Sequence, residues 1–127
     1  VKEAILPVMR NLRSDGAEFE DLACAYLRRK GYKILDRNVY LMRKELDVVA
    51  QAGGTIVFVE VKGRRSMRFG PPADGMGPTK RRHMIEAAKA YVKSRHLAGR
   101  PCRFDFVAVT FAAGRPRIAH IENAFEA

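Results

Sequence analysis

The alternation of apolar and polar residues divides the chain into helical and extended segments. Over residues 15–30, Phe19, Leu22, Ala23, Tyr26 and Leu27 recur at spacings of three and four, which puts them on one face of a helix. Ser14 or Asp15 can cap its start, and Gly31 follows a basic last turn, "RRKG". The period then shortens: "YKILDRNVYLM" (32–42) is strand-like, and residues 45–51 and 56–62 make two further strands. Residues 63–78, "GRRSMRFGPPADGMGP", form a long loop of Gly and Pro, a length that in a compact domain commonly serves function. Pro78 suits the first turn of a second helix running to about residue 95, with Met84, Ile85, Ala88, Tyr91 and Val92 on its buried face. "CRFDFVAVTF" (102–111) alternates as a strand, "GRP" (114–116) marks a turn, and "RIAHIENAF" makes a last strand or short tail. Residues 1–13 read as an arm or short helix, with Ile5, Leu6, Met9 and Leu12 at rough helical spacing around Pro7. The order α-β-β-β-α-β-β implies an α/β fold, a mixed sheet flanked by helices, over one domain of residues 14–127.

One stretch breaks the apolar logic. In "ELDVVAQAGGTIVFVEVKGRR", Glu45, Asp47, Glu60 and Lys62 sit inside two apolar runs. Side chains alternate faces along a strand, so Glu45, Asp47 and Val49 share one face, as do Phe58, Glu60 and Lys62. A two-residue Gly53-Gly54 turn pairs Ala52 with Thr55, Ala50 with Val57, Asp47 with Glu60, and Glu45 with Lys62. A four-residue loop keeps this pairing, whereas a three-residue loop sends the two acids to opposite faces. Carboxylates directly opposed, with Cβ atoms roughly 4.5–5.5 Å apart, repel; in a partly buried site one takes up a proton or both share a cation. Oxygen ligands so placed suit Mg²⁺ or Mn²⁺. Lys62 reaches the same point from two residues beyond Glu60, and Glu20, on the edge of the first helix's apolar stripe, reaches the rim of that helix's packing surface.

Composition narrows the partners. Lys and Arg number 24 against 14 acids, a formal charge of +10, which favours a polyanion. Glycoside hydrolysis by the acid pair is disfavoured by this basic surface and by the absence of Trp. Cys24 and Cys102, far apart in apolar contexts, read as buried free thiols of a reducing cytoplasm. His83, His96 and His120 lack metal-ligand spacing, which argues against zinc. No apolar run approaches the roughly 18 residues of a membrane span, and the N-terminal residues lack the features of a secretory signal.

The arrangement Asp47, twelve residues, then Glu60-Val61-Lys62, with an acidic helix upstream, resembles the PD-(D/E)xK nuclease core. That resemblance implies that Asp47 and Glu60, with the Val61 carbonyl, hold a divalent metal. It also implies that Lys62 orients the attacking water or stabilises developing charge. In junction-resolvase-like members a Glu on the first helix joins the site, and Glu20 is the matching residue. More specifically, "EDLACAYLRRKGYKILDRN", "ELDVVA", "VFVEVKGRRSMRFG", "KRRHMIEAAKAYV", "RFDFVAV" and "HIENAF" are similar to the successive motifs of the YraN family, bacterial proteins with a resolvase-like nuclease fold. The likeness spans roughly residues 16–125 and implies a restriction-endonuclease-like fold and a site of Glu20, Glu45, Asp47, Glu60 and Lys62. Lys44 departs from it, standing where the family usually has Gly.

Arg64, Arg65, Arg68, Lys80, Arg81 and Arg82 bracket the long loop as phosphate clamps; Lys80 also matches the family's lysine. Tyr40 and Phe69 can stack on unpaired bases or pack in the core. His120 and Asn123 read as residues of packing or of a subunit contact, and Asp105 as structural rather than a metal ligand. The expectation is a nuclease dependent on Mg²⁺ or Mn²⁺, acting on structured or single-stranded nucleic acid, DNA above all. The alternative is a non-catalytic nucleic-acid-binding module that keeps the nuclease fold. Resolvase-like proteins often act as dimers, so a homodimer stays open.

Overall fold

The computed structural model describes residues 15–65 and 76–127. The expected arm, the capping side chains of Ser14 and Asp15, Arg68 and Phe69 lie outside the described residues. Helix α1 (Asp15–Arg29) is followed by strands β1 (Lys33–Leu41), β2 (Lys44–Ala52) and β3 (Thr55–Arg64), helix α2 (Pro78–Ser94), and strands β4 (Cys102–Ala112) and β5 (Arg115–Phe125). This is the α/β order that the periodicity predicts. The strands lie in one sheet in chain order. Neighbours run antiparallel except β3 and β4, whose parallel pairing requires the crossover that carries α2.

Each helix covers one face. Phe19, Ala23, Cys24 and Leu27 of α1 pack on Val48, Ala50, Val57, Val59, Val107 and Val109. Met84, Ala87, Ala88 and Tyr91 of α2 pack on Val49, Ile56, Phe58, Phe104 and Phe106. Strand β3 is therefore buried on both faces, which explains its unbroken apolar run "IVFV". Both cysteines are free; Cys24 is buried as expected, but Cys102 is exposed, because it opens β4 before that strand enters the core. Among the described residues no helix is long and apolar enough to cross a membrane.

Turn chemistry sets the register. Gly53, at φ 59°, and Gly54 form a two-residue loop closed by Ala52 and Thr55, and the ladder runs through Ala50–Val57 to Val48–Val59, as the glycine pair implies. The expected "GRP" turn is corrected by one position. Ala113 (φ 53°) and Gly114 (φ 77°) make the bend, and Pro116 already pairs with Phe111 in β5. Proline's fixed negative φ bars it from a left-handed turn position, whereas an edge strand accepts it. The β1–β2 turn, closed by Leu41 and Lys44, puts Met42 (φ 54°) and Arg43 (φ 61°) in the left-handed region without glycine.

A kink alters which residues share a face. Arg37 pairs with Val48 and Val39 with Leu46. Val48 belongs to the α1 side, but Leu46 and Val39 pack on the α2 side. Asn38, at φ 53°, lies at the switch, opposite Asp47. The expectation that Glu45, Asp47 and Val49 share a face is thereby overturned: Leu46 takes the α2 side, which leaves Glu45 on the α1 side, paired with Tyr40. Glu45 does not lie opposite Lys62, because the β2–β3 ladder ends at Val48–Val59.

At the other edge, Asp105 is fully buried and saturated with donors. It receives Arg103 Nε at 2.8 Å and Nη2 at 3.0 Å, the Asn123 N–H at 3.0 Å, and His120 Nε2 lies 2.7 Å away. Burial alone would raise its pKa; the bonds from His120, Arg103 and Asn123 outweigh burial and hold it below the ordinary carboxylate range. Asn123 (φ 52°) sits in the β5 bulge between the Phe104–Phe125 and Phe106–Ile121 pairs, so Asp105 satisfies an N–H that the bulge takes out of the ladder. His120 Nδ1 in turn lies 3.2 Å from the Tyr26 hydroxyl and 3.1 Å from Lys30 Nζ, tying the end of α1 to β5.

Gly63 fixes the other end of α1. A Cβ there would overlap the Phe19 ring, so the absent side chain lets α1 lie directly on β3. Gly63→Ala is expected to lower unfolding free energy by about 1–3 kcal/mol through overpacking, and Phe19→Leu in the same chain to recover part of it; urea denaturation of both variants checks this. Met42→Asn with Arg43→Gly is expected to stabilise the protein by about 1–2 kcal/mol, since each non-glycine left-handed residue carries a penalty of that order. An unchanged denaturation midpoint would show the β1–β2 turn to be unstrained.

Candidate active site

Beyond Val48–Val59 the strands β2 and β3 stop pairing, while β2 continues along β1 to Lys44 and β3 along β4 to Arg64. The Asp47 carboxylate enters this fork, where its Oδ2 accepts the Val61 N–H at 2.9 Å. The N–H and C=O of one strand residue point to the same side, so the Val61 carbonyl also turns toward the fork. The next position in the ladder's register sets Asp47 beside Glu60. Glu60 is buried, at 6% exposure, and follows Phe58 onto the α2 side. Burial first, and then the negative charge of Asp47, push its pKa up to about 7. Lys80, on the first turn of α2, opposes that shift with its Nζ 3.3 Å from Glu60 Oε1.

Glu20 approaches from α1. Burial raises its pKa; a hydrogen bond with Asn38 and the charge of Arg37 work against this, and the charges of Asp47 and Glu45 add to it. Arg37 bridges Glu20 at 3.9 Å and Asp21 at 2.8 Å. Four of the acids picked out in the sequence thus share one electrostatic neighbourhood. Asp47 and Glu60 form its close pair, and Glu20 and Glu45 flank Asp47. Among the described residues no three His, Cys, Asp or Glu side chains close into a metal-ligating group. Two carboxylates remain, the number with which Mg²⁺ is commonly held, its other positions filled by water or substrate. Lys62 is exposed at the end of the same strand face, and among the described residues it forms no ion pair.

The basic residues around the long loop separate by role. Lys80 faces the acid pair. Arg65 ion-pairs with buried Glu18 and lies over the rings of Phe19 and Phe111, at 5.4 Å and 4.8 Å. Arg81 donates Nε to the Met76 carbonyl at 2.8 Å and lies 5.6 Å from the Phe125 ring centre. Arg65 and Arg81 therefore hold contacts within the fold; Arg64 is half-buried and Arg82 exposed. Arg37 and Asn38 were not singled out in the sequence, yet both contact Glu20. Their signal was present: three polar residues in a row, Asp36-Arg37-Asn38, interrupt the β1 alternation, which marks a departure from regular pleating.

The family model described as "Uncharacterised protein family UPF0102" matches residues 19–109, a span that contains α1 from Phe19, the fork, Lys80 and most of β4. The UPF0102 protein of Geobacter metallireducens is 43% identical over 114 residues, covering 90% of this chain and 93% of its own length. That of Syntrophomonas wolfei is 46% identical over 106 residues, covering 84% and 92%, and that of Pseudomonas aeruginosa 42% over 118 residues, covering 91% and 94%. With the match running through both helices and the forked strands, the chain belongs to the UPF0102 (YraN) family.

Proposed function

We propose that the protein is a divalent-metal-dependent nuclease that hydrolyses phosphodiester bonds in structured or single-stranded nucleic acid, DNA in the first instance. The observation that carries this reading is the Asp47–Glu60 pair. Two adjacent carboxyls, one pushed up to about 7 by burial and its neighbour even with Lys80 beside it, leave a demand for further positive charge. A hard cation meets that demand, and Asp47, Glu60 and the Val61 carbonyl are the groups that would hold Mg²⁺ or Mn²⁺. When bound, such an ion supplies Lewis acidity toward a phosphoryl oxygen and acidifies a water for attack on phosphorus. Lys62, exposed at the rim, orients that water or stabilises the extra negative charge of the transition state. Lys80, relieved of Glu60, can meet a phosphate instead. Glu20, held by Asn38 and Arg37, and Glu45 accept hydrogen bonds from waters around the reacting phosphate. The formal charge of +10 draws the polyanion to the surface.

The Lys80–Glu60 contact also favours one rival. A lysine that already neutralises the acid pair fits a nucleic-acid-binding module that keeps the fold without cleaving. Asp47→Asn and Glu60→Gln are expected to abolish Mg²⁺-dependent cleavage of single-stranded, flapped and four-way DNA while leaving metal-free binding equal or tighter. Cleavage that persists in both variants removes the mechanism; salt-dependent binding with no products from the native protein selects the module.

Glu60 also predicts a pH dependence. Its folded pKa of about 7 lies above the ordinary 4.5, so the folded state keeps a proton that the unfolded state releases. The metal-free protein therefore loses stability as pH rises from about 4.5 to about 7, by something of the order of 3 kcal/mol. Glu60→Gln is expected to raise the Tm in EDTA at pH 8 and to leave it nearly unchanged at pH 4.5. Mn²⁺ is expected to raise the native protein's Tm more at pH 8 than at pH 5.5, and an equal Mn²⁺ effect at both would contradict the site.

A further inference from the structure

We propose that the β1–β2 hairpin tip, Tyr40 to Lys44, is a stacking wedge for an unpaired nucleobase, which makes branched or frayed nucleic acid the substrate class. This rests on the nuclease reading and deepens it. Tyr40 and Met42 are 69% and 63% exposed, ahead of Ile121 at 42% among the described large apolar residues. Ile121 stands on β5, at the far edge of the sheet, so Tyr40 and Met42 are a local feature of the tip.

The tip adjoins the acid cluster. Tyr40 pairs directly with Glu45, which puts both side chains on one face, and Glu45 is close enough to act on Glu20. Asn38, two residues before Tyr40, hydrogen-bonds Glu20. A base stacked on Tyr40 therefore belongs to a nucleotide near the one at the fork.

The tip is also strained and braced. Met42 and Arg43 both occupy the left-handed region, where Asn-Gly would sit without strain. Strain of this kind gathers at binding sites, and here it displays Met42 and Arg43 at the solvent-facing end. Lys44 anchors the base of the turn, its Nζ 3.1 Å from Glu86 of α2 and 3.2 Å from the Met42 carbonyl. An aromatic ring held on a braced support loses little freedom on binding. Bases within an intact duplex are already stacked on each other, so such a ring takes only a base that is out of the stack.

The test uses the full chain in EDTA, with fluorescence anisotropy on a forked DNA, a single strand and a blunt duplex, and 2-aminopurine at the fork. Tyr40→Ala is expected to weaken fork binding about tenfold, the scale of one base–aromatic stack, to leave duplex binding unchanged, and to abolish 2-aminopurine quenching. Tyr40→Phe is expected to retain all three. Met42→Asn with Arg43→Gly, which keeps the turn, is expected to lower the fork-to-duplex preference. Tyr40→Ala with native fork preference overturns the wedge while leaving the nuclease reading intact. A loss of binding that tracks a change of oligomeric state in light scattering also overturns it, by making the tip a contact between copies. Native protein that binds no nucleic acid at all overturns the nuclease reading itself.

Discussion

Two strands that cease to pair while each keeps its other neighbour leave backbone groups facing a gap inside the sheet. An unmet N–H in such a place costs about 1–3 kcal/mol. Here Asp47 supplies the missing acceptor by taking the Val61 N–H. That one bond fixes the Asp47 carboxylate at the mouth of the fork, next to Glu60 and within the field of Glu20. The acid cluster follows from how the sheet ends its β2–β3 ladder.

Charge in the fork is balanced from several directions. Asp47 and Glu60 come from a hairpin whose residues are close in sequence, whereas Lys80 arrives from α2, whose position depends on the crossover into β4. Glu20 arrives from α1, whose closeness to β3 depends on the space above Gly63. Local and distant parts of the chain therefore meet at the site. A change in either helix alters the electrostatics of the fork without touching the carboxylates.

Most of the fold was legible because it is governed by local chemistry. The period of α1 and α2, the apolar run of β3 and the Gly53-Gly54 turn each specify their own element, and the turn gave the parity that brings Asp47 to Glu60. What escaped was set by contacts between distant residues. The Asn38 kink depends on Leu46 and Val39 finding the α2 face, and only an extension of the turn's register past Val48–Val59 put Glu45 opposite Lys62. Arg65 and Lys80 both read as phosphate clamps in sequence, yet Arg65 is held by Glu18 and two aromatic rings, and Lys80 by Glu60. Which partner a long cationic side chain selects is decided only once the surfaces meet. "GRP" misled because proline and glycine both mark turns, while only the residues at positive φ make this one.

The bulge in β5 has a counterpart in β1, so both extra segments fall on the outermost strands. β1 carries its irregularity between Ile34 and Asp36, and β5 the longer one opposite Asp105. Each rim also carries exposed charge: Lys33 on one side, Arg115, Arg117 and Glu122 on the other. Broken hydrogen-bond spacing and exposed charges make a poor template for a further strand. Ribbon-like growth by rim-to-rim addition is thus discouraged at both sides of an eleven-residue border strand and its nine-residue counterpart.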